Sequence, residues 1–421
     1  MKKTKRVCFV TAVLAAALTA ACGGKTEGGS GGTRAIELTI WNLSGRQVPL
    51  DAAAGEFAAA NPGIRITPAY YDTDGIKDAT KVAASSGTLP GLWFNWGGML
   101  GGFYAENDLI YDLKDYAAVN GWDKIFNGGA LSLCTLDGKL AGYPTSFNVM
   151  GIYYRKDTFA RYGLEVPKTF EEFEQVCATL KRNGITPITT AGLYGWHVMR
   201  FVEVLIEHYT GAELHDQMNT FQASYNHPAI VQAFTKFKEF ADKGYFPAGF
   251  LTLDPNDTGL EIFAGTAAMD VQGQWMDGSI IQEEQDVSNF GTFAFPSGGT
   301  NRMSAFAEMI QFNKNLSQEQ IEASVKFLDF FQGKEHVGKY SEYYNLPLPR
   351  LDADMPDGQP NVPVMLSTAN KNGTFTVTDQ AFPTEVADVL FHVQDGLVTG
   401  QTTPQEGAAA IQTAIEAYLK K

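Results

Sequence analysis

Trp96, Trp196 and Trp275 are the residues of this chain whose setting could do chemistry, out of six tryptophans in 421 residues. Trp96 lies in Phe94-Asn95-Trp96-Gly97-Gly98, directly after a strand-like run. Trp196 lies in Gly195-Trp196-His197, and Trp275 in Gly273-Gln274-Trp275. An indole offers a flat apolar face, while neighbouring Asn, Gln, Asp and Arg offer planar donors and acceptors. That pairing suits a polyhydroxylated ring, whose C–H face stacks and whose hydroxyl rim needs hydrogen bonds. Core packing is the ordinary fate of a tryptophan, and it is the expectation for Trp41 and Trp122. The Gly-rich loop setting of the other three predicts that they face a ligand.

Catalytic and metal-binding patterns are absent from the sequence. No GxSxG elbow, Walker A loop or post-strand GxGxxG occurs. His197, His208, His215, His227, His336 and His392 are scattered and form no HExxH pair, so neither a metal site nor a cofactor is expected. The chain is therefore not expected to be an enzyme. With 47 acidic residues, a glycosidase-like carboxylate pair stays open as an alternative, because spatial separation cannot be read from spacing.

Alternating strands and helices must position the tryptophans. Ile36-Glu37-Leu38-Thr39-Ile40-Trp41 alternates as a strand does. A helical run follows with Leu50, Ala53, Ala54, Phe57 and Ala58 on one face, stopped at Asn61-Pro62-Gly63. Residues 64–71 form a second strand, 76–86 a helix and 89–96 a third strand. This βαβαβ opening predicts a parallel sheet covered by helices. Capping boxes mark later helix starts at Thr169/Glu172, Ser317/Gln320 and Thr403/Glu406. The last helix should bury Ile411, Ile415 and Leu419. In open α/β sheets ligands bind beyond the carboxyl ends of strands, which is where Trp96 falls.

Charge separates the N-terminus from the rest. The chain carries −15 overall, yet Lys2, Lys3, Lys5 and Arg6 crowd its first residues, so the remainder is more acidic still. An acidic surface repels phosphate backbones and argues against nucleic acid as a partner. The basic start precedes an uncharged run, Val7 to Ala21, shorter than a membrane span needs but suited to an export signal. It ends in Leu18-Thr19-Ala20-Ala21-Cys22, which resembles a bacterial lipobox with Thr19 in place of the usual Leu. The resemblance implies lipidation of Cys22. Residues 23–32 are Gly-rich, a flexible tether reaching on the order of 17 Å. Cys134 and Cys177 then remain, and in an oxidising compartment they could form one disulfide. Cys177 falls on an apolar helix face, which predicts a buried free thiol.

Five segments, in order, carry a family resemblance. They are Glu56-Phe57 with Asn61-Pro62-Gly63-Ile64; Gly87-Thr88-Leu89-Pro90, with Gly91 where Asp is usual; Asp137-Gly138-Lys139 with Gly142-Tyr143-Pro144; Gly151-Ile152-Tyr153-Tyr154-Arg155-Lys156-Asp157 through Phe170-Glu171-Glu172-Phe173; and Phe263-Ala264-Gly265-Thr266-Ala267-Ala268-Met269 with Gly273-Gln274-Trp275. Together they resemble the family 1 extracellular solute-binding proteins, the sugar-capturing lipoproteins of bacterial ABC importers.

That resemblance implies an α/β, two-lobed periplasmic-binding-protein type II fold with crossing hinge strands. The implied divisions are 1–22 (signal peptide and lipobox cysteine), 23–34 (tether), 35–147 plus 302–347 (first lobe), and 148–301 plus 348–421 (second lobe). Crossings are expected near Ser146-Phe147-Asn148-Val149, between Pro296 and Phe306, and near Leu346-Pro347-Leu348-Pro349. The implied function is capture of a carbohydrate, an oligosaccharide, between the lobes and delivery to ABC permease subunits; a non-sugar solute is the other binding alternative. The implied location is outside the cell, a monomer anchored by lipid to the outer face of the cytoplasmic membrane. Residues expected to touch the ligand are Asn42, Ser44, Arg46, Asn95, Trp96, Asn148, Trp196, His197, Gln274, Trp275, Asp277 and Glu308, with Asp379 and Gln380 as weaker companions. The Gly of Gly273-Gln274-Trp275 is expected to let the backbone approach the ligand.

Overall fold

A computed structural model describes residues 35–299, 301–353 and 358–421. The expected export signal, Cys22 and the tether lie outside the described residues. The first strands form as the alternation demands: β1 (Ile36–Leu43) and β2 (Ile64–Tyr71) pair in parallel from Ile36↔Ile64 to Leu43↔Tyr71. The third strand is shorter than expected. β3 spans Leu92–Trp96, because Pro90 has no N–H to give and the Gly91 N–H is taken by the Thr39 hydroxyl at 2.8 Å. The helix Thr73–Ser86 begins three residues earlier than expected, since Asp72 caps it through the Gly75 N–H at 2.6 Å.

All three capping boxes form. In the helix Phe170–Arg182 the box fixes the start, worth about 1 kcal/mol. Phe173, Val176 and Leu180 are buried on one face at roughly 2 kcal/mol each, so packing dominates. The last helix, Pro404–Tyr418, buries Ile411 and Ile415, but Leu419 falls past its end and is 60% exposed. Cys134 and Cys177 are free, buried thiols, and burial pushes both upward in pKa.

The remaining strands are β4 (Thr135–Leu136) and β5 (Lys139–Leu140), a separate ribbon, then β6 (Tyr143–Arg155), β7 (Thr186–Thr189), β8 (Ala267–Gly273), β9 (Phe290–Phe293), β10 (Met303–Phe312) and β11 (Thr374–Thr376). The main sheet has nine strands in the order β2-β1-β3-β10-β6-β8-β7, with β11 on β10 and β9 on β6. β1, β2 and β3 run together, and β7 and β8 run together the opposite way, because the long central pair β6 and β10 is antiparallel throughout.

The register places the two half-sheets head to head. β3 ends at Trp96, paired with Glu308, which in turn pairs with Ser146. β8 ends at Gly273, paired with Met150. The carboxyl ends of the two half-sheets thus face each other across residues 146–150 of β6, roughly 13 Å at a strand's rise per residue. A shift in register between Glu308 and Met309 lets Pro144, which lacks a donor, sit inside a central strand.

The crossings expected at residues 146–149 and before Phe306 lie on this central pair. The segment expected to cross near Leu346-Pro347-Leu348-Pro349 still packs on the β1–β3 half. The Pro349 carbonyl accepts from Asn127 N–H at 2.7 Å, and Leu351 N–H donates to the Ile125 carbonyl at 2.8 Å. The Glu342 carbonyl already accepts from Gln282 Nε2 at 2.6 Å, and the helix Asn361–Asn372 then packs on the β8 half, with Asn361 bonded to Asp277.

Candidate functional site

Between the facing carboxyl ends lies a cavity of about 550 Å³. The β1–β3 half contributes the turn Ser44–Arg46 after β1, Asp72 and Lys77 around the helix Thr73–Ser86, and Trp96 at the end of β3. The β8 half contributes Trp196 and Arg200 from the helix Trp196–Asn219, with Gln272 and Trp275 at the end of β8. Met150, Phe306 and Glu308 of the central strands form the floor.

On the floor, Glu308 is nearly buried. Its Oε2 accepts from Ser146 Oγ at 2.8 Å and from Asn345 Nδ2 at 3.2 Å, and Arg46 Nη2 stands 3.9 Å away. Burial pushes this carboxyl above its ordinary range, and Arg46 opposes the shift. The Arg46 guanidinium is itself lowered by burial, with Glu308 and Tyr344 pulling it back. It stands 5.6 Å from the Tyr344 ring centre. Each group opposes the effect of burial on the other.

The tryptophans form a chain of ring and cation contacts across the cavity. The Lys77 ammonium is 5.1 Å from the Trp96 ring centre and 5.6 Å from that of Trp196. Arg200, one helical turn after Trp196, lies 4.6 Å from the same ring and 5.3 Å from Trp275. Trp275 packs on Phe306 at 5.6 Å. Burial brings the Arg200 guanidinium down to about 10, against the pull of Asp270, Asp379 and Glu203, so it stays charged at neutral pH.

Gly273 has a different job from the one expected. A Cβ there would stand 1.9 Å from Trp275 Cζ3, so the missing side chain makes room for the Trp275 ring and not for a ligand's approach. Gly98, at φ +64°, lets the Gln380 carbonyl come close, and that seats Asp379 and Gln380 in the cavity wall.

Of the expected contact residues, Ser44, Arg46, Trp96, Trp196, Trp275, Glu308, Asp379 and Gln380 line the cavity. Six do not, and each is hydrogen-bonded within the protein, although Asn148 Oδ1 and His197 Nδ1 find no partner among the described residues. Asn42 Oδ1 accepts from Leu43 N–H at 2.8 Å. Asn95 bridges Gln311 Oε1 and Trp96 N–H at 2.8 and 2.9 Å. Asn148 Nδ2 donates to Ser146 Oγ at 2.9 Å. Gln274 accepts from Val149 N–H and donates to the Phe147 carbonyl, both at 2.8 Å. His197 Nε2 is 3.0 Å from Asp270 Oδ1, and Asp277, raised by burial, holds the amides of Asn361. Trp122 packs in the core against Phe126 and Tyr143, and Trp41 lies half-buried on Tyr71.

This geometry is that of a binding cleft with walls on two halves of one sheet. The sequence profile of bacterial extracellular solute-binding proteins matches residues 52–363. The chain belongs to that family. This solute-binding protein is 25% identical over 218 residues to the multiple sugar-binding protein of Streptococcus mutans. That alignment covers 50% of this chain and 51% of the streptococcal protein, about half of each. It is 22% identical over 326 residues to a probable sugar-binding periplasmic protein of Rhizobium meliloti, covering 75% and 77% of the two chains. Solved structures share its two-lobed α/β fold. A chitin oligosaccharide binding protein superposes with a TM-score of 0.83 at 23% identity, covering 91% of this chain and 98% of the other. The maltose/maltodextrin-binding domain MalE from Bdellovibrio bacteriovorus, bound to maltotriose, does so at 0.73 and 19%, covering 92% and 100%.

Among the residues that line the cleft of the solute-binding protein without having been expected are Asp72, Lys77, Arg200 and Gln272. Two carried a signal. Arg200 stands four residues after Trp196, the spacing that brings side chains together on a helix. Asp270 and Gln272 are polar at a spacing of two in the otherwise apolar β8, so they share one face of the sheet. Among the described residues no helix is long and apolar enough to cross a membrane, and no group of three His, Cys, Asp or Glu is placed to hold a metal ion.

Proposed function

We propose that this protein captures an oligosaccharide in the cleft and delivers it to an ABC importer. The observation that carries the reading is the placement of Trp96, Trp196 and Trp275 on both walls of one 550 Å³ cavity, beside charged and amide groups that can meet hydroxyls. The sugar-named relatives and neighbours support the same ligand class. Binding draws the two halves together by bending at β6 and β10, a hinge closure without covalent chemistry. Permease subunits are the partners that read the closed state. Cys22 carries the lipid that holds a monomer at the outer face of the cytoplasmic membrane.

Thermal unfolding of the Cys22→Ser chain with mono- and oligosaccharides tests the ligand class. A true ligand at a hundredfold excess over Kd adds about 2.7 kcal/mol of stability and is recovered unchanged. Release of shortened products would make the protein an enzyme. Stabilisation by amino acids, peptides or anions, with none by any saccharide, would refute the carbohydrate reading.

A further inference from the structure

Behind the cleft wall lies a relay of five hydrogen-bonding side chains with a single workable direction. Gln272 Oε1 accepts from Arg200 Nη1 at 2.9 Å and from Trp275 Nε1 at 3.1 Å. Both partners can only donate, so the oxygen end of the amide must face them. The nitrogen end then donates to Asp270 Oδ2 at 3.0 Å, and the other Asp270 oxygen is 3.0 Å from His197 Nε2. Gln272 Nε2 also lies 3.4 Å from His197 Nε2. Asp270 is fully buried and takes no part in the cavity lining.

We infer that Asp270 is a positioning residue for ligand affinity: by accepting from Gln272 it fixes the amide's direction, and the amide in turn holds Arg200 and Trp275 in the wall. The inference rests on the reading of the cleft as the ligand site. Without an acceptor at position 270 the Gln272 amide loses its anchor. Arg200 and the Trp275 ring then lose the common acceptor that spaces them on the two sides of Gln272. A glutamate at position 272 would still accept from Arg200 and Trp275 but would meet Asp270 as a second carboxylate. An asparagine at 270 would supply the donor that such a glutamate needs.

This gives a rescue test on the full exported chain. Affinities for chitotriose, maltotriose, raffinose and xylotriose are measured by calorimetry for wild type, Asp270→Ala, Gln272→Glu and the double variant Asp270→Asn/Gln272→Glu. The Trp275 indole N–H resonance, assigned with Trp275→Phe, is followed in the same proteins without saccharide. Asp270→Ala and Gln272→Glu should each weaken the saccharide that wild type binds by about tenfold, the effect of losing one buried hydrogen-bond partner of a charged group. The double variant should return to within about threefold of wild type, and its indole resonance should move back toward the wild-type position. The inference is overturned if Asp270→Ala binds within threefold of wild type, or if the double variant binds no better than Gln272→Glu. If wild type takes up none of the four saccharides while the indole resonance follows this pattern, the carbohydrate reading fails and the relay stands. An indole resonance indifferent to Asp270→Ala would remove the relay itself. Should Asp270→Ala not fold, the comparison of Gln272→Glu with the double variant decides alone.

Discussion

The indole N–H of Trp196 donates to the Asp74 carboxylate at 3.2 Å, although the two residues stand on opposite walls of the cleft. Asp74 opens the helix after β2 and Trp196 opens the helix after β7, and Lys77 binds the same carboxylate at 3.2 Å while lying over the Trp196 ring. The contact bridges the two half-sheets, so if they close on a ligand as proposed it favours the closed arrangement before any ligand contributes. Asp74→Ala should therefore shift the ligand-free protein toward a more open form. Small-angle scattering should show a larger radius of gyration without ligand and an unchanged one with it, and affinity should fall about three- to tenfold. Identical scattering for variant and wild type would mean the contact does not hold the halves.

Trp275 and Gly273 should behave as one unit. Trp275→Ala removes a ring from the wall and should weaken ligand binding by about 2–4 kcal/mol, in the range of aromatic hot spots. Gly273→Ala keeps the tryptophan but places a methyl group where its ring lies, 1.9 Å from Cζ3, so the ring must move. Both variants should lose affinity in titrations followed by intrinsic fluorescence. Full affinity in Gly273→Ala would show that the ring's position is immaterial.

Glu203 predicts a pH dependence of stability. Burial pushes its carboxyl up to about 8, against the hydrogen bonds from Thr378, whose N–H donates at 2.9 Å. A folded pKa above the unfolded one means the native state holds the extra proton. Stability from this group is then complete below about pH 4 and declines as pH rises toward 8. Glu203→Gln should flatten that decline, which amounts to a few kcal/mol at most. Glu207 acts in the opposite sense. Burial would raise it, but His215 and Arg302 bring it down to about 2, so its contribution is present above pH 4.5 and fades as the pH drops toward 2. Denaturant melts of wild type and Glu203→Gln from pH 5 to 9 check the first claim; parallel curves would reject it.

The two body thiols should be silent in the native protein. Cys134 and Cys177 are buried and burial raises both, so neither offers a thiolate. Alkylation with iodoacetamide should modify them only after unfolding, while Cys22→Ser in cells should abolish fatty-acid labelling and release the protein. Rapid native alkylation of Cys177 would contradict its packing.

Much of the frame was legible in the sequence, for local reasons. Thr169/Glu172, Ser317/Gln320 and Thr403/Glu406 set helix starts by contacts within three residues, and β1 and β2 follow from alternation. The place of Trp96, Trp196 and Trp275 in the cavity wall was legible because Gly-rich strand ends are poor places for core packing. The amides were not. Asn95 and Gln274 look like ligand contacts by type and place, yet partners as far away as Gln311 and Val149 take up their polar atoms, and Asn148 is tied through its Nδ2 to Ser146. Arg200 and Lys77 were missed for the converse reason. Each sits on an ordinary helix surface, and only the fold brings the rings of Trp275 and Trp96 to them.

The head-to-head half-sheets make the central pair a ruler. The gap between Trp96 and Trp275 is counted in residues of β6 and β10, from Ser146 to Met150 and from Ser304 to Glu308. A strand advances by about 3.3 Å per residue and turns its side chains over at each step, so this gap can lengthen only in pairs of residues without inverting the floor. Room for a longer or shorter ligand must therefore come from the walls, through side chains such as Leu260 and Tyr343 that line the cavity, while the number of strand residues between the ends stays fixed.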